Sequence, residues 1–363
     1  MFSKSQRIIE ASKAGTLQEM CCSIMSQAKA EGLLKLAFFH HASNDNEYLD
    51  ILHTLRTAVK EFFPTDTPLV SYIAQGTACG KLVAEATYHT DKETDIQRNS
   101  EYVLLSKNGC KEIVTGGIVP HDISITAFEQ SKELFGVVGD ILESNGFQAS
   151  DIYRQWNYIQ YITAQNDGSQ NYQEFNDARS IFYSSCEWSG GYPAATGIGT
   201  SAGGIMIEFC AIKGENIANK AIDNPLQIAA HAYSQNVLDG KVIEELKERT
   251  TPKFERARLL GTTVYISGTA AIKGEKSNYS TSTVEQTAET MEIMDRLVSK
   301  ENIPAENNGS KYDILRVYIK RACDIGAAKA FMDTHYPTAS KHYLVADICR
   351  PELLVEIEGI AHI

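Results

Sequence analysis

Residues 284–298 read VEQTAETMEIMDRLV, and residues 128–142 read FEQSKELFGVVGDIL. In both stretches the apolar residues recur at helical spacing, which predicts an amphipathic helix with one buried stripe. A similar strand follows each helix, DIYRQW at 151–156 and DILRVY at 313–318. Recurrence of the same elements in the same order indicates an internal duplication. We therefore predict an α+β protein with two tandem domains, each a mixed sheet with helices on one face.

Glycine-rich turns recur as well. GTACG at 76–80 and GTSAG at 199–203 each precede an apolar run, which predicts a β-hairpin. This pair has a different spacing from the helix pair, so we expect an insertion near 213–258 in the second copy. A segment added to one of two similar domains is more often functional than required by the fold. The polar stretch 165–178 sets the predicted boundary, giving domains 1–170 and 171–363.

Composition excludes several classes of protein. The chain has 363 residues, with 34 basic and 46 acidic side chains and a net charge of −12. Such an acidic balance argues against a nucleic-acid partner, because phosphate binding needs a basic face. We find neither an apolar run of about 18 residues nor a signal-peptide core, and we expect a cytoplasmic protein with no membrane partner. The cysteines form no C-x-x-C pair, so we expect free thiols and no metal site.

Several segments resemble known families. The C-terminal half resembles the RidA/YjgF family, which has a chorismate-mutase-like sheet with two helices on one face. The matching segments are SGTAAI (267–272), EQT (285–287), LRVYIK (315–320) and LLVEIEGIA (353–361). A narrower resemblance is to the chorismatase family, which has two such domains in tandem. It is carried by RQWNYI (154–159), NYQEFNDAR (171–179), YPAATGIG (192–199), NPLQ (224–227), F-x-R-A (254–257), SGTAAIKG (267–274) and ADICRPELLVEIEG (346–359).

The chorismatase resemblance implies hydrolysis of the enolpyruvyl ether of chorismate without a cofactor. Pyruvate leaves, and the ring becomes a hydroxybenzoate or a dihydroxycyclohexadiene carboxylate. Residues 232–253 depart from the family's pattern, which keeps a RidA-like imine or enamine deaminase as the alternative activity. A non-catalytic module that binds small anions is the third hypothesis. Both a monomer and a homo-oligomer, such as the trimers of RidA relatives, are compatible with the sequence.

Vinyl-ether hydrolysis begins with protonation of the methylene carbon, so the site needs a carboxylic acid that stays protonated. Glu356 and Glu358 are two residues apart, so both side chains lie on one face of the last strand. Burial on that face and repulsion between the two carboxylates raise a carboxyl pKa. The resemblance implies that Glu356 is the general acid, with Glu358 as the second candidate. It also implies that Cys349, in the D-x-C-R motif, faces the substrate ring.

A dicarboxylate substrate also needs cationic partners, and the planar fork of arginine binds a carboxylate through two hydrogen bonds. Arg350 and Arg256 are the first candidates because they lie within the resembling motifs. The further candidates for substrate binding are Arg154, Arg316, Lys320, Ala271 and Tyr158. Ala271 and Tyr158 are expected against the ring.

Overall fold

The computed structural model describes residues 2–215, 217–244, 246–278, 280–304 and 309–363. Within these ranges the strands group into three main sheets, and each sheet carries helices on one face. We call the corresponding segments the first unit (4–89), the middle unit (95–213) and the third unit (219–362). The predicted α+β class is confirmed. The sheets favour three units over the two domains 1–170 and 171–363, because the boundary at 170/171 falls inside the middle unit.

The first unit has the sheet order β1-β5-β2-β3, in which β2 and β3 are parallel. Its elements are β1 (Lys4–Glu10), α1 (Leu17–Ala28), β2 (Leu33–His40), α2 (Asp45–Phe62), β3 (Leu69–Ala74), β4 (Gly76–Thr77) and β5 (Val83–His89). The short strand β4 does not belong to this sheet. It pairs with β20 and extends the sheet of the third unit, so hydrogen bonds connect the first and third units.

The middle unit has the order β12-β9-β13-β8-β7-β6, with β12 and β9 parallel. Its elements are β6 (Asp95–Arg98), β7 (Tyr102–Lys107), β8 (Cys110–Thr115), α3 (Ala127–Ser144), β9 (Ile152–Gln160), β10 (Gln165–Asn166), β11 (Ser169–Gln170), α4 (Asn171–Tyr183), β12 (Ala194–Thr200) and β13 (Ile205–Lys213). The predicted duplicate helix at 128–142 lies within α3, and the strand predicted after it lies within β9.

The third unit repeats this order as β14-β15-β16-β21-β19-β20, and β4 follows β20. Its elements are β14 (Asn219–Ile222), β15 (Ala257–Leu260), β16 (Thr263–Ala270), β17 (Ile272–Lys273), β18 (Lys276–Ser277), α5 (Thr283–Leu297), β19 (Lys311–Ile319), α6 (Ile325–His335), β20 (Ser340–Val345) and β21 (Val355–His362). The duplicated helix and strand therefore relate the middle and third units.

The hairpin pair relates a different pair of units, because 76–80 belongs to the first unit and 199–203 to the middle one. Its spacing therefore does not measure an insertion, and that step of the sequence argument was wrong. An added segment is nevertheless present where it was expected. Residues 223–256 connect β14 to β15, whereas only 99–101 connect the corresponding strands β6 and β7. Asn216 and Glu245, within the predicted segment, lie outside the described residues.

Local sequence explains where the helices begin. Thr16 and Glu19 form a capping box at the start of α1, and Thr126 and Glu129 form one at the start of α3. The Ser282 side chain accepts the Glu285 amide at the start of α5. These contacts satisfy amide groups that have no partner within the helix, and each typically stabilises a helix by about 1 kcal/mol.

The sheet faces that carry no helices meet in a common core. Phe39 of the first unit, Tyr153 of the middle unit and Tyr318 of the third unit belong to one buried cluster. Each unit has a second cluster between its sheet and its own helices. Successive side chains of an inner strand point to opposite faces of its sheet. One face contributes to the core between that sheet and its own helices, and the other contributes to the junctions between units. None of the described helices is long and apolar enough to cross a membrane.

Candidate active site

The junction between the middle and third units is formed by β12 and β16. The Ala195 amide donates to Ser267 Oγ at 2.9 Å, and the Gly268 amide donates to Thr196 Oγ1 at 3.0 Å. A cavity opens beside these contacts and encloses about 780 Å³ of empty space, including its opening to solvent. It is lined by Gln170, Tyr172, Gln173, Asn176, Ala195, Gly197, Gln227, Tyr233, Val237, Leu238, Asp239, Pro252, Phe254, Arg256, Gly268, Ala270, Ile272, Cys349, Arg350 and Glu356.

Glu356 is the acidic residue on the β21 wall of this cavity. It pairs with Ala270 in the sheet register, at the place where β16 shifts its register after Ile266. The side chain is buried, and its carboxyl group lies directly against Gly268. No hydrogen bond from the described part of the chain reaches this carboxyl group. Glu356 is therefore a buried acid that faces a cavity.

The surroundings of Glu356 favour its neutral form. Burial raises its pKa to about 8, and repulsion from Glu358 adds to this, while the positive charge of Arg154 acts in the opposite direction. A carboxyl with this pKa is largely protonated at neutral pH and can donate a proton. The two causes predicted from the V-E-I-E pattern, desolvation and a neighbouring carboxylate, are both present.

Glu358 lies outside the cavity, and its role differs from the one considered for it in the sequence. Its carboxylate accepts hydrogen bonds from Tyr318 Oη at 2.7 Å and from Trp156 Nε1 at 3.1 Å. Arg154, Arg316 and Thr196 also contact it. These donors occupy both oxygens of the Glu358 carboxylate, which does not line the cavity. The prediction that Glu358 is a second candidate for the acid is therefore corrected. Glu358 is instead the charged group next to Glu356.

Arg256 and Arg350 both line the cavity, as their motifs predicted. Arg256 Nη2 donates to Tyr233 Oη at 2.8 Å, and Arg350 Nη1 donates to Ser277 Oγ at 2.9 Å. Their guanidinium carbons lie 5.5 Å and 5.4 Å from the centre of the Tyr233 ring. Among the described residues, neither forms an ion pair with a carboxylate. Two oriented guanidinium groups are thus available for an anionic ligand.

Cys349 also lines the cavity, next to Arg350 and close enough to Glu356 to interact with its charge. Burial and, to a smaller extent, the neighbouring Glu356 raise the pKa of its thiol to about 12. The thiol therefore stays neutral, so Cys349 contributes shape and a weak hydrogen-bonding group rather than a nucleophile.

Four of the predicted substrate-binding residues lie elsewhere. Arg154 and Arg316 point from β9 and β19 into the common core, where they pair with Glu358. Tyr158 is buried beside them and accepts a hydrogen bond from Arg316 Nη1 at 2.8 Å. Lys320 is partly exposed and pairs with Asp347 at 2.9 Å. Arg154, Arg316 and Tyr158 do not line the cavity, because the inner faces of β9 and β19 are covered by the other units.

Ala271 was expected at the ring, but it is completely buried, and its neighbour Ala270 lines the cavity instead. Adjacent residues of an extended segment point to opposite sides. An error of one position in the prediction therefore replaces the residue that lines the cavity by its buried neighbour.

The sequence argument did not select three residues of α4. Tyr172 and Asn176 line the cavity, and Arg179 donates to Asn176 Oδ1. Arg179 is only 2% exposed and has no carboxylate partner among the described residues, which is unusual for a buried cation. Burial lowers the pKa of its guanidinium, although the group stays charged. The NYQEFNDAR motif contained this signal, since positions 172, 176 and 179 lie on one helix face.

The segment between β14 and β15 forms a further wall of the cavity, as expected for a functional insertion. Tyr233, Leu238 and Phe254 are among its contributions. Within the described ranges, no three His, Cys, Asp or Glu side chains are grouped closely enough to hold a metal ion. The cavity thus offers one protonated carboxyl, oriented guanidinium groups and aromatic surfaces.

Comparisons with known proteins agree with this fold. Residues 89–211, close to the bounds of the middle unit, match the family described as chorismatase FkbO/Hyg5-like, N-terminal. A 3-hydroxybenzoate synthase of Streptomyces hygroscopicus is 28% identical over 240 residues, which cover 64% of this chain and 69% of that protein. A chorismatase of the same organism is 31% identical over 223 residues, covering 57% of this chain but only 60% of its own length.

The solved structure of a chorismatase superposes on 99% of this chain and 98% of its own, with a TM-score of 0.73 and 22% identity. This likeness shows that all three units are arranged as in that structure. Residues 89–211 are thus similar in sequence to the FkbO/Hyg5-like chorismatase family, and the whole chain has the fold of a solved chorismatase.

Proposed function

We propose that the protein cleaves the enolpyruvyl ether of chorismate and that Glu356 is the general acid. The observation that carries the proposal is a buried carboxyl, kept protonated, in a cavity that also holds two guanidinium groups with no carboxylate partner among the described residues. The relatives named chorismatase and 3-hydroxybenzoate synthase support the same substrate.

The proposed reaction begins when Glu356 gives its proton to the terminal methylene carbon of the enolpyruvyl group. The adjacent ether carbon becomes an oxocarbenium ion, and the ionised Glu356 lies close enough to stabilise this charge. Water adds to that carbon and loses a proton, which restores the acid. The resulting hemiketal breaks its bond to the ring oxygen, releasing pyruvate and the dihydroxycyclohexadiene carboxylate. Formation of a hydroxybenzoate requires the further loss of one water from the ring.

Arg256 and Arg350 are proposed to hold the two carboxylates of the substrate. Both are oriented by Tyr233 and by backbone carbonyls, so little side-chain entropy is lost when an anion binds. The acidic net charge of −12 would otherwise repel a dianion, and local cations must overcome it. Cys349 and Ala270 are proposed to contact the ring.

The test is incubation with chorismate, with pyruvate measured by a coupled assay and ring products identified by mass spectrometry. We expect pyruvate release that falls by about 10²–10⁴-fold in Glu356→Gln, which keeps the shape but cannot donate a carboxylic proton. Equal release by both proteins would overturn the assignment of the acid, and no release by either would overturn the substrate. Ammonia release from a 2-aminoacrylate source would favour the deaminase instead.

A further inference from the structure

The first unit contributes no side chain to the active-site cavity among the described residues. One of its carboxylates nevertheless reaches the charged groups behind Glu356. Glu85, on β5, is 3% exposed and faces β19 of the third unit. Its two oxygens accept three hydrogen bonds from Arg316, two from Nε at 2.8 and 2.9 Å and one from Nη2 at 2.7 Å. Such a bidentate contact sets the plane of the guanidinium group.

Arg316 then contacts Glu358 with its remaining nitrogen. Nη1 donates to Glu358 Oε1 at 3.1 Å and to Tyr158 Oη at 2.8 Å. The other oxygen of Glu358 contacts Arg154 and Thr196. Thr196 Oγ1 also accepts the amide of Gly268, the residue against which the Glu356 carboxyl lies. A continuous series of buried contacts thus joins Glu85 to the catalytic acid.

The charges alternate along this series, from Glu85 through Arg316 and Glu358 to Arg154. Arg154 and Arg316 balance Glu85 and Glu358, so the positive charges are neutralised before they reach Glu356. Without Glu85, both arginines would share the single carboxylate of Glu358, and a net positive charge would remain behind the acid. A nearby positive charge stabilises the ionised form of a carboxyl group.

We propose that Glu85 is a positioning residue for the acid step: by holding Arg316 it keeps Glu358 beside Glu356, so that the first unit completes the active site. This inference rests on the proposed function. His342 supports Glu85 from the third unit, with Nδ1 3.2 Å from Glu85 Oε1. Burial opposes ionisation of Glu85, but the charge of Arg316 and the hydrogen bonds from His342 and Arg316 lower its pKa to about 2. Glu85 therefore remains charged throughout the working range of the enzyme.

The series of contacts from Glu85 to Arg154 is proposed to control the pH at which Glu356 loses its proton. The charged or titratable groups that face Glu356 or share its cavity are Glu358, Arg154, Cys349, Tyr172, Tyr233, Asp239, Arg256 and Arg350. Glu85→Gln leaves all of these in place and removes only the negative charge at the far end of the series. A change in the titration of Glu356 in this variant would therefore report the coupling itself.

The experiment measures kcat and KM for pyruvate release against pH. In the wild type we expect activity to fall as pH rises through about 8, because Glu356 loses its proton. In Glu85→Gln this decline should move to lower pH by about one unit, with KM changed less than about threefold. A decline at the wild-type pH would overturn the proposal.

Glu112→Gln is the matched control. Glu112 is also buried and pairs with a cation of another unit, Lys4, but among the described residues neither Glu112 nor Lys4 contacts Glu358. We expect this variant to lose stability without moving the pH profile. A shift equal to that of Glu85→Gln would show that loosening any junction has this effect, and would overturn the specific role of Glu85.

Two additions separate the possible failures. If Glu85→Gln does not fold, Glu85→Asp keeps the charge on a shorter side chain; the proposal then expects a lower kcat at unchanged KM, and wild-type kcat overturns it. The carboxyl C=O stretch of Glu356, assigned by its absence in Glu356→Gln, can be followed by infrared spectroscopy without substrate. A lower midpoint in Glu85→Gln would support the coupling even if chorismate proved not to be the substrate.

Discussion

The carboxyl group of Glu356 and the α-carbon of Gly268 are in such close contact that a β-carbon at position 268 would overlap Glu356 Oε1. Thr196 would also restrict that β-carbon, because its Cγ2 would lie 3.1 Å away. Gly268 lies where β16 shifts its register against β21, between the paired residues Ile266 and Thr269. The absence of a side chain at this position therefore creates the space in which the acid lies.

Gly268→Ala should displace Glu356 from its position facing the cavity. We expect pyruvate release to fall by about 10²-fold, since small misplacements of catalytic groups have effects of that size. Gly136→Ala is the control, because nothing lies within 4 Å of a β-carbon on that residue of α3. The control should keep full activity and gain about 0.5–1 kcal/mol in the free energy of unfolding. Full activity of Gly268→Ala would contradict the packing described.

The raised pKa of Glu356 also predicts how stability depends on pH. The folded state holds the proton up to about pH 8, whereas the unfolded chain releases it near the ordinary value of 4.5. Glu356 therefore costs no stability below the unfolded pKa, and its cost grows as pH rises from there to about 8.

Glu356→Gln removes this cost. Compared with the wild type, the variant should be on the order of 2–4 kcal/mol more stable at pH 8 and nearly equal at pH 4. Denaturant unfolding of both proteins at the two pH values checks the difference. Equal stability at pH 8 would mean that Glu356 is not desolvated in the folded state.

Cys349 should resist alkylation in the folded protein. Its thiol has a pKa raised to about 12 by burial and by Glu356, so little thiolate is present at pH 8. Cys22, Cys79 and Cys323 are exposed and should react with iodoacetamide first. Peptide mass spectrometry after short labelling measures the order, with urea-unfolded protein as the control in which all sites react. Preferential labelling of Cys349 would indicate an activated thiol, contrary to the role described.

Arg256 and Arg350 should contribute mainly to binding. Replacing either by Gln removes a charge-assisted contact worth about 1.5–3 kcal/mol, so KM for chorismate should rise roughly 10- to 150-fold. Lys320→Gln is the control, because its ammonium pairs with Asp347 and does not line the cavity. Steady-state kinetics distinguish the three variants. An equal effect of Lys320→Gln would place the carboxylate site elsewhere.

Local patterns in the sequence predicted the elements, and the family resemblance selected Glu356 as the candidate acid. Apolar periodicity placed the duplicated helices and strands, because a stripe of buried side chains follows the 3.6-residue repeat of a helix. Alternation along V-E-I-E put Glu356 and Glu358 on one face, and motifs near the glycine turn and the last strand selected Arg256, Arg350 and Cys349. All of these are properties of neighbouring residues in one element.

Contacts between the units depended on tertiary structure. Glu356 and Glu358 lie two residues apart on the same strand, yet one faces a cavity and the other meets Arg154, Arg316 and Tyr318. No local pattern distinguishes them, because the difference comes from side chains of β9, β12 and β19. The sequence analysis assigned Arg154 and Arg316 to the substrate for the same reason. In the sequence, an arginine that binds a ligand cannot be distinguished from one that neutralises a buried glutamate. Strand alternation therefore determines which residues share a face, and only the packing of the three sheets determines what that face meets.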